Sequence, residues 1–303
     1  MTIQSPFTLV PGDTIGVCAL SGAFDPCVFA RGVKVLERMG FRVYVPPGLS
    51  ATKRYLAGED QHRADIFHDL VSMEAVRAIM CARGGFGAMR VLPILDFERL
   101  RGSPKLLVGF SDVTAALVTL GRRVSFPVIH GPVITSLATA SGITQRSLYE
   151  VLTTPWHQLF DVILKDGTTL TPGRANGLLY GGNLATLCHL CGTPFQSSLE
   201  KTILFLEEIN EPSYKVDRML TQMRLSGLFR GVKGIVLGQF QNCGDEKILH
   251  EIFHEHLGHL PLFAGMPSGH GHVNVSLPMG IPVVMDADAH RLSWAGQGGS
   301  NEH

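Results

Sequence analysis

The chain is predicted to be an α/β protein whose N-terminal half is built on a parallel sheet. Three observations lead there. Apolar strand-like runs alternate with helical stretches from Thr14 onwards. The runs Thr14–Ala19 and Val76–Cys81 are apolar enough for strands covered on both faces. The run Leu106–Val108 reaches Gly109 and Ser111 and then turns into helical spacing, as strands do at the carboxyl edge of such a sheet.

Taken in order, Thr14–Ala19 is the first strand, and a helix near Val28 to Met39 stops at Gly40. Phe41–Val45 is the second strand, and the polar segment Lys53–Gly58 leads into a helix over Asp60 to Ser72. Val76–Cys81 and Leu106–Gly109 are the third and fourth strands, and Thr114–Leu120 is helical. The stretch Pro155–Asn176 is polar, contains Pro172 and Gly173, and has weak periodicity. The expected organisation is therefore an N-terminal α/β nucleophile domain over 1–155, a linker over 156–176 and a C-terminal domain over 177–303. In the last of these, Gly181–Ala185 turns into a helix and Thr202–Leu206 is a strand ending in Glu207, Glu208 and Glu211. Val216–Ser226 and Asp245–Leu257 are helical, and Gly234–Gly238, Pro282–Met285 and Arg291–Trp294 are short strands.

Composition narrows the function. The 303 residues are 45% hydrophobic and 17% charged, enough apolar material for a substantial core. A formal net charge of zero gives no electrostatic case for nucleic acid or an anionic membrane. No run approaches the roughly 18 apolar residues that span a bilayer. The start, Met1-Thr-Ile-Gln-Ser-Pro-Phe7, lacks the basic and apolar regions of a secretory signal, so a cytoplasmic location is expected.

The chemistry-bearing positions begin with Ser111. A serine at a strand-to-helix turn has its hydroxyl pushed out above the sheet, with fresh helix N–H groups behind it. The common nucleophile turn has glycine on both sides, whereas Val113 holds the downstream position here, and a capped turn is the competing reading. The cluster Arg83-Gly-Gly-Phe-Gly87 follows the third strand; it lacks dinucleotide spacing but could aim backbone N–H groups at a developing oxyanion.

Thirteen histidines raise the question of a metal. His250-Glu-Ile-Phe-His254 fits H-E-x-x-H, yet Leu257 and Leu260 stand where the extended motif needs glycine and histidine, and the segment reads as an amphipathic surface helix. His270 lies between Gly269 and Gly271 in Pro267–Asn274, as a loop presenting an imidazole or as a plain polar turn. The six cysteines form no disulfide framework. Cys188-His-Leu-Cys191 has redox spacing but sits in a helix interior, where packing is the expected role.

Ser111, Glu207 and His270 occur in the order found in α/β-hydrolases. Motifs along nearly the whole chain resemble the LD-carboxypeptidase (muramoyltetrapeptide carboxypeptidase) family of serine peptidases, which includes the microcin C immunity peptidases. They are Arg54–Gly58, Arg83–Gly87, Gly109–Asp112, His130–Pro132, Gly181–Leu184, Leu206–Pro212, Asp217-Arg218 and Pro267–Gly271. The resemblance implies a Rossmann-like N-terminal α/β domain and a smaller, β-rich (α+β) C-terminal domain with the site between them. It places the nucleophile on Ser111, the charge-relay carboxylate on Glu207 and the general base on His270. The oxyanion donors fall on the backbone N–H groups of Asp112 and Gly85. Arg83, Gly84, Tyr180 and Asn183 are the candidate substrate contacts.

No metal or cofactor is required by that chemistry. The implied substrate is a murein tetrapeptide cut between meso-diaminopimelate and D-alanine in cell-wall recycling; the alternative is an aminoacyl-nucleotide amide. A homodimer is expected. Two departures stand out: the family often has Glu-Asp where this chain has Glu207-Glu208, and some members have tryptophan where this chain has Tyr180.

Overall fold

The computed structural model describes residues 7–158 and 161–294. Met1–Pro6, on which the reading of the chain start rests, lie outside the described residues.

The N-terminal half runs β1 (Thr14–Cys18), α1 (Pro26–Arg38), β2 (Arg42–Tyr44), α2 (Asp60–Ser72), β3 (Val76–Cys81), α3 (Ala88–Val91) and α4 (Phe97–Gly102). It continues with β4 (Leu106–Gly109), α5 (Thr114–Val124), β5 (Val128–His130), α6 (Ile134–Leu137) and α7 (Gly142–Thr153). Local signals set several of these ends. Asp25 accepts the Val28 N–H at 2.8 Å, and Pro26 opens α1, where its missing N–H costs nothing. After α5, Ser125 adopts φ 55° and stops the helix as a left-handed cap.

Strands β2, β1, β3 and β4 are parallel neighbours, as the alternation predicted, and β5, which the sequence reading does not single out, extends the parallel order beside β4. Their carboxyl ends converge on the loop after β1, the glycine turn after β3 and Ser111 after β4, which is where open α/β sheets bind ligands.

The C-terminal half contributes β6 (Val162–Ile163), β7 (Thr168–Thr171), β8 (Arg174–Asn183), α8 (Leu184–His189), β9 (Thr202–Ile209) and α9 (Ser213–Leu225). Then come β10 (Gly234–Gln241), α10 (Glu246–Leu257), β11 (Leu262–Ala264), β12 (Leu277–Met279), β13 (Pro282–Asp286) and β14 (Arg291–Trp294). Eight of these strands form a second sheet in the order β6-β14-β13-β8-β9-β10-β11-β7. Its centre, β8 to β11, is parallel, and its flanks are antiparallel.

Two boundaries differ from expectation. The segment 156–176 is no linker: β6 and β7 lie in it and form the two opposite edges of the second sheet. β6 is only the two residues Val162–Ile163, too short to show a strand period, and β7 is the threonine-rich Thr168–Thr171, whose polar edge-strand composition reads like a loop. The C-terminal segment also crosses back, because β12 pairs antiparallel with β5 and completes the first sheet as a sixth strand. That return carries the chain, and His270 with it, back to the edge of the first sheet.

Candidate active site

Ser111 follows Phe110 with φ 62°, a left-handed conformation that costs a non-glycine residue about 1–3 kcal/mol. The turn lifts its hydroxyl off the end of β4, and the side chain is only half-buried. From the glycine turn, Gly84 lies directly against it: a Cβ on Gly84 would stand 3.0 Å from Ser111 Oγ. The structure thus brings the two N-terminal motifs together at one point.

His270 arrives from the second half. Its Nε2 lies 3.1 Å from Ser111 Oγ and its Nδ1 2.6 Å from Glu207 Oε2. A carboxylate only accepts, so Nδ1–H donates to Glu207, leaving Nε2 free to take the serine proton. Exposure falls along the line: the His270 side chain is 15% exposed and Glu207 is fully buried. Phe110 packs on the imidazole with ring centroids 4.9 Å apart.

The loop holding His270 is fixed at several points. Gly269 has φ +123°, and a Cβ there would sit 2.6 Å from Glu207 Oε2, so only glycine lets the backbone pass over the carboxylate. Asn274 Oδ1 accepts the Gly269 N–H at 3.1 Å, and Gln239 Oε1 accepts the Gly271 N–H at 2.7 Å. Thr144 and Ser147 of α7 accept the Asn274 and Ser276 N–H groups, both at 2.9 Å. Gln239, Thr144 and Ser147 stand in no recognisable motif, and sequence reasoning missed them.

Burial pulls the His270 pKa down, but the hydrogen bond to Glu207 and the charges of Glu207 and Glu208 outweigh it, and the net shift is upward from 6.5. An imidazole accepts a proton only when neutral, so if His270 serves as base kcat/KM should climb as pH rises through a value above 6.5. In Glu207→Gln, desolvation is left largely unopposed, and the limb should move to lower pH. A kcat/KM profile of both forms between pH 5 and 9 checks the direction.

The two adjacent acids have separate duties, since neighbours in a strand face opposite ways. Both lie inside β9, which runs on to Ile209 rather than ending before them. Glu208 faces away from His270; it accepts the Asn183 Nδ2–H at 2.8 Å and the N–H groups of Ala185 at 2.7 Å and Ile209 at 2.9 Å. Burial pushes its carboxyl up, and these three donors work against that rise.

The expected substrate contacts are placed unevenly. Asn183 is spent on structure: its amide donates to Glu208 and its oxygen caps α8 through the Thr186 N–H at 3.0 Å. Tyr180 is 3% exposed, packs on Gly121 of α5 and lies under Arg122, whose guanidinium carbon is 5.2 Å from the ring centroid. Three residues back from the carboxyl end of β8, it is packing and does not face the site. Arg83 is exposed and donates to the Ala23 carbonyl. Gly84 alone of the four abuts Ser111.

His130, at the end of β5, is fully buried between Phe110 and Phe205, with ring centroids 6.0 and 4.9 Å away. Burial and the neighbouring His270 pull its pKa down to about 3, so it adds no charge beside His270.

The H-E-x-x-H segment lies on α10, where His250 faces Glu246 at 3.6 Å and His254 Nδ1 meets Thr171 Oγ1 at 3.3 Å. Among the described residues, no group of three His, Cys, Asp or Glu side chains is placed to hold a metal. Cys188 lies near the end of α8 rather than at its N-terminus, and burial pushes its thiol up to about 11, away from redox reactivity.

A strained serine, an imidazole hydrogen-bonded to a buried carboxylate and a glycine turn beside the hydroxyl stand together on a two-sheet α/β frame, an arrangement chemically suited to nucleophilic acyl transfer. The comparisons agree in kind. The LD-carboxypeptidase N-terminal domain profile matches residues 15–131 and the C-terminal domain profile matches 176–285. The chain belongs to the LD-carboxypeptidase family.

It is 32% identical to the murein tetrapeptide carboxypeptidase of Pseudomonas aeruginosa, over 92% of this chain and 94% of that one. A solved muramoyltetrapeptide carboxypeptidase from Oxalobacter formigenes superposes with TM-score 0.82 at 28% identity, covering 92% of this chain and 97% of the other. The microcin C7 self-immunity protein MccF of Escherichia coli is 28% identical over 97% of each chain. A structure of MccF in complex with aspartyl sulfamoyl adenosine gives TM-score 0.85 at 25% identity, covering 96% of this chain and 98% of that one. No helix among the described residues is long and apolar enough to cross a membrane.

Proposed function

We propose that the protein is a cytoplasmic, homodimeric serine carboxypeptidase that hydrolyses the L,D-peptide bond between meso-diaminopimelate and the terminal D-alanine of murein tetrapeptides. The observation that carries the reading is the continuous line Glu207–His270–Ser111, with contacts of 2.6 and 3.1 Å, in a family whose relatives include a murein tetrapeptide carboxypeptidase. His270 Nε2 takes the Ser111 proton as Oγ bonds to the scissile carbonyl carbon. The resulting oxyanion is received by the N–H groups of Gly85 and Asp112. His270 then gives its proton to the nitrogen as the C–N bond breaks and D-alanine leaves. Water, deprotonated by the same imidazole, opens the acyl ester and restores Ser111. Glu207 stays ionised throughout and stabilises the imidazolium.

A carboxypeptidase also holds a free carboxylate. Arg83 has donors left beyond its bond to Ala23 and stands in the glycine turn, so it is the proposed partner. Arg83→Ala should raise KM for the tetrapeptide by about 10–100-fold, the loss of one charge-assisted contact, with a smaller change in kcat.

An aminoacyl-nucleotide substrate is the second reading. Its support is the likeness to MccF together with the exposed rings of Tyr55 and Phe86, 6.0 Å apart at the glycine turn, which offer a face for a flat base. Comparing kcat/KM for a tetrapeptide ending in D-alanine, its L-alanine epimer and an aspartyl sulfamoyl nucleoside separates the readings. The proposal expects the D-alanine peptide to lead; a preference for the nucleoside would replace it. Light scattering tests the dimer.

A further inference from the structure

Arg63 belongs to none of the roles assigned so far, yet it is 1% exposed and among the largest fully buried side chains of the protein. From the first turn of α2 its guanidinium reaches Asp60, the Leu20 carbonyl beyond β1 and, at 2.9 Å, the Gly87 carbonyl. Asp112, 8% exposed, reaches the same place from the other side: its Oδ2 accepts the Ala88 N–H at 2.8 Å. The Gly87 carbonyl and the Ala88 N–H are the two ends of one peptide group. That peptide is therefore held on its oxygen by a buried guanidinium and on its nitrogen by the carboxylate of the residue after the nucleophile.

We infer that Arg63 and Asp112 are positioning residues that clamp the Gly87–Ala88 peptide and thereby fix the spacing between the glycine turn and the Ser111 turn. The inference rests on the acyl-transfer reading, in which Gly85 and Asp112 supply the oxyanion donors. Those donors come from separate loops, and a donor stabilises an oxyanion only if it is already in place when charge develops. Three of the four residues from Gly84 to Gly87 are glycines, which leaves the turn little stiffness of its own. The clamp supplies it, two residues beyond Gly85 and on the side chain of the residue whose N–H is the other donor. Gly87 is shaped for the grip: it has φ +139°, and a Cβ there would lie 2.6 Å from the Arg63 guanidinium. Burial pushes the Asp112 carboxyl up, and the Ser21 side chain, the Ala88 N–H and, to a smaller degree, the Arg63 charge oppose that rise.

The test compares wild type with Arg63→Met, Arg63→Lys and Asp112→Ala through two readouts. One is kcat and KM for D-alanine release from the tetrapeptide; the other is the rate at which a fluorophosphonate, which needs the donors but no peptide site, labels Ser111. Arg63→Met and Asp112→Ala should each lower kcat and the labelling rate by about 100-fold, the scale of one lost oxyanion donor, with KM within about threefold. Arg63→Lys should recover part of both rates, because an ammonium can still donate to the Gly87 carbonyl.

Folded variants whose kcat and labelling rate match wild type, or in which KM alone rises, would overturn the clamp. If Arg63→Met does not fold, Asp112→Ala and Arg63→Lys decide by the same numbers. A wild type that labels at Ser111 but releases no D-alanine refutes the substrate reading and leaves the clamp to be judged on labelling. A wild type that does neither refutes both.

Discussion

His270→Gln is expected to lower kcat for D-alanine release by about five to six orders of magnitude, with KM changed only a few-fold. The glutamine amide can still donate to Glu207, so the buried carboxylate keeps a partner and the fold should survive. What is lost is the acceptor 3.1 Å from Ser111 Oγ, and with it both the removal of the serine proton and its return to the leaving amine. A coupled assay for free D-alanine at high enzyme concentration measures the residual rate, and circular dichroism confirms the fold. A loss below about a hundredfold would mean that another group serves as base.

The second large effect separates two neighbouring acids. Glu207→Gln should reduce kcat by about four orders of magnitude, because an amide facing Nδ1 can donate, can hold the imidazole in the wrong tautomer, and brings no charge to the imidazolium. Glu208→Gln should cost less than about tenfold in kcat. Its effect falls instead on stability: Glu208 gathers donors from Asn183, Ala185 and Ile209, and weakening these should cost on the order of 1–3 kcal/mol. Thermal unfolding and kcat measured on both variants should give opposite rankings. Equal kcat losses would place the relay carboxylate elsewhere.

Much of this arrangement is legible in the sequence. The parallel order of β1, β3 and β4 follows from predominantly apolar runs that alternate with helical stretches, and α2 falls on Asp60–Ser72 as its pattern requires; the three-residue β5 is too short to stand out. Ser111 is legible because a strand–Gly–x–Ser turn is a local signal. Glu207 stands out locally only as an acid at a strand end and His270 as an imidazole between glycines; their proposed roles as relay carboxylate and base come with the family motifs, since no spacing rule ties the two across 63 residues.

Other features escaped for stated physical reasons. Of the edge strands, β6 is only two residues long and β7 has the polar composition of a loop, and β12 returns to a sheet whose other strands end far earlier in the chain. Tyr180 and Asn183 adjoin the site in sequence, but strand geometry turns the first towards α5 and uses the second to cap α8. Arg63 sits in a polar-looking helix, where nothing marks an arginine as buried; only the fold shows the peptide it holds.

The most direct test of the serine carboxypeptidase account is D-alanine release from a murein tetrapeptide by wild type and Ser111→Ala, each with and without EDTA. The account predicts release by wild type that EDTA leaves unchanged and that disappears in Ser111→Ala. Release that persists in Ser111→Ala, or that EDTA abolishes, would contradict it.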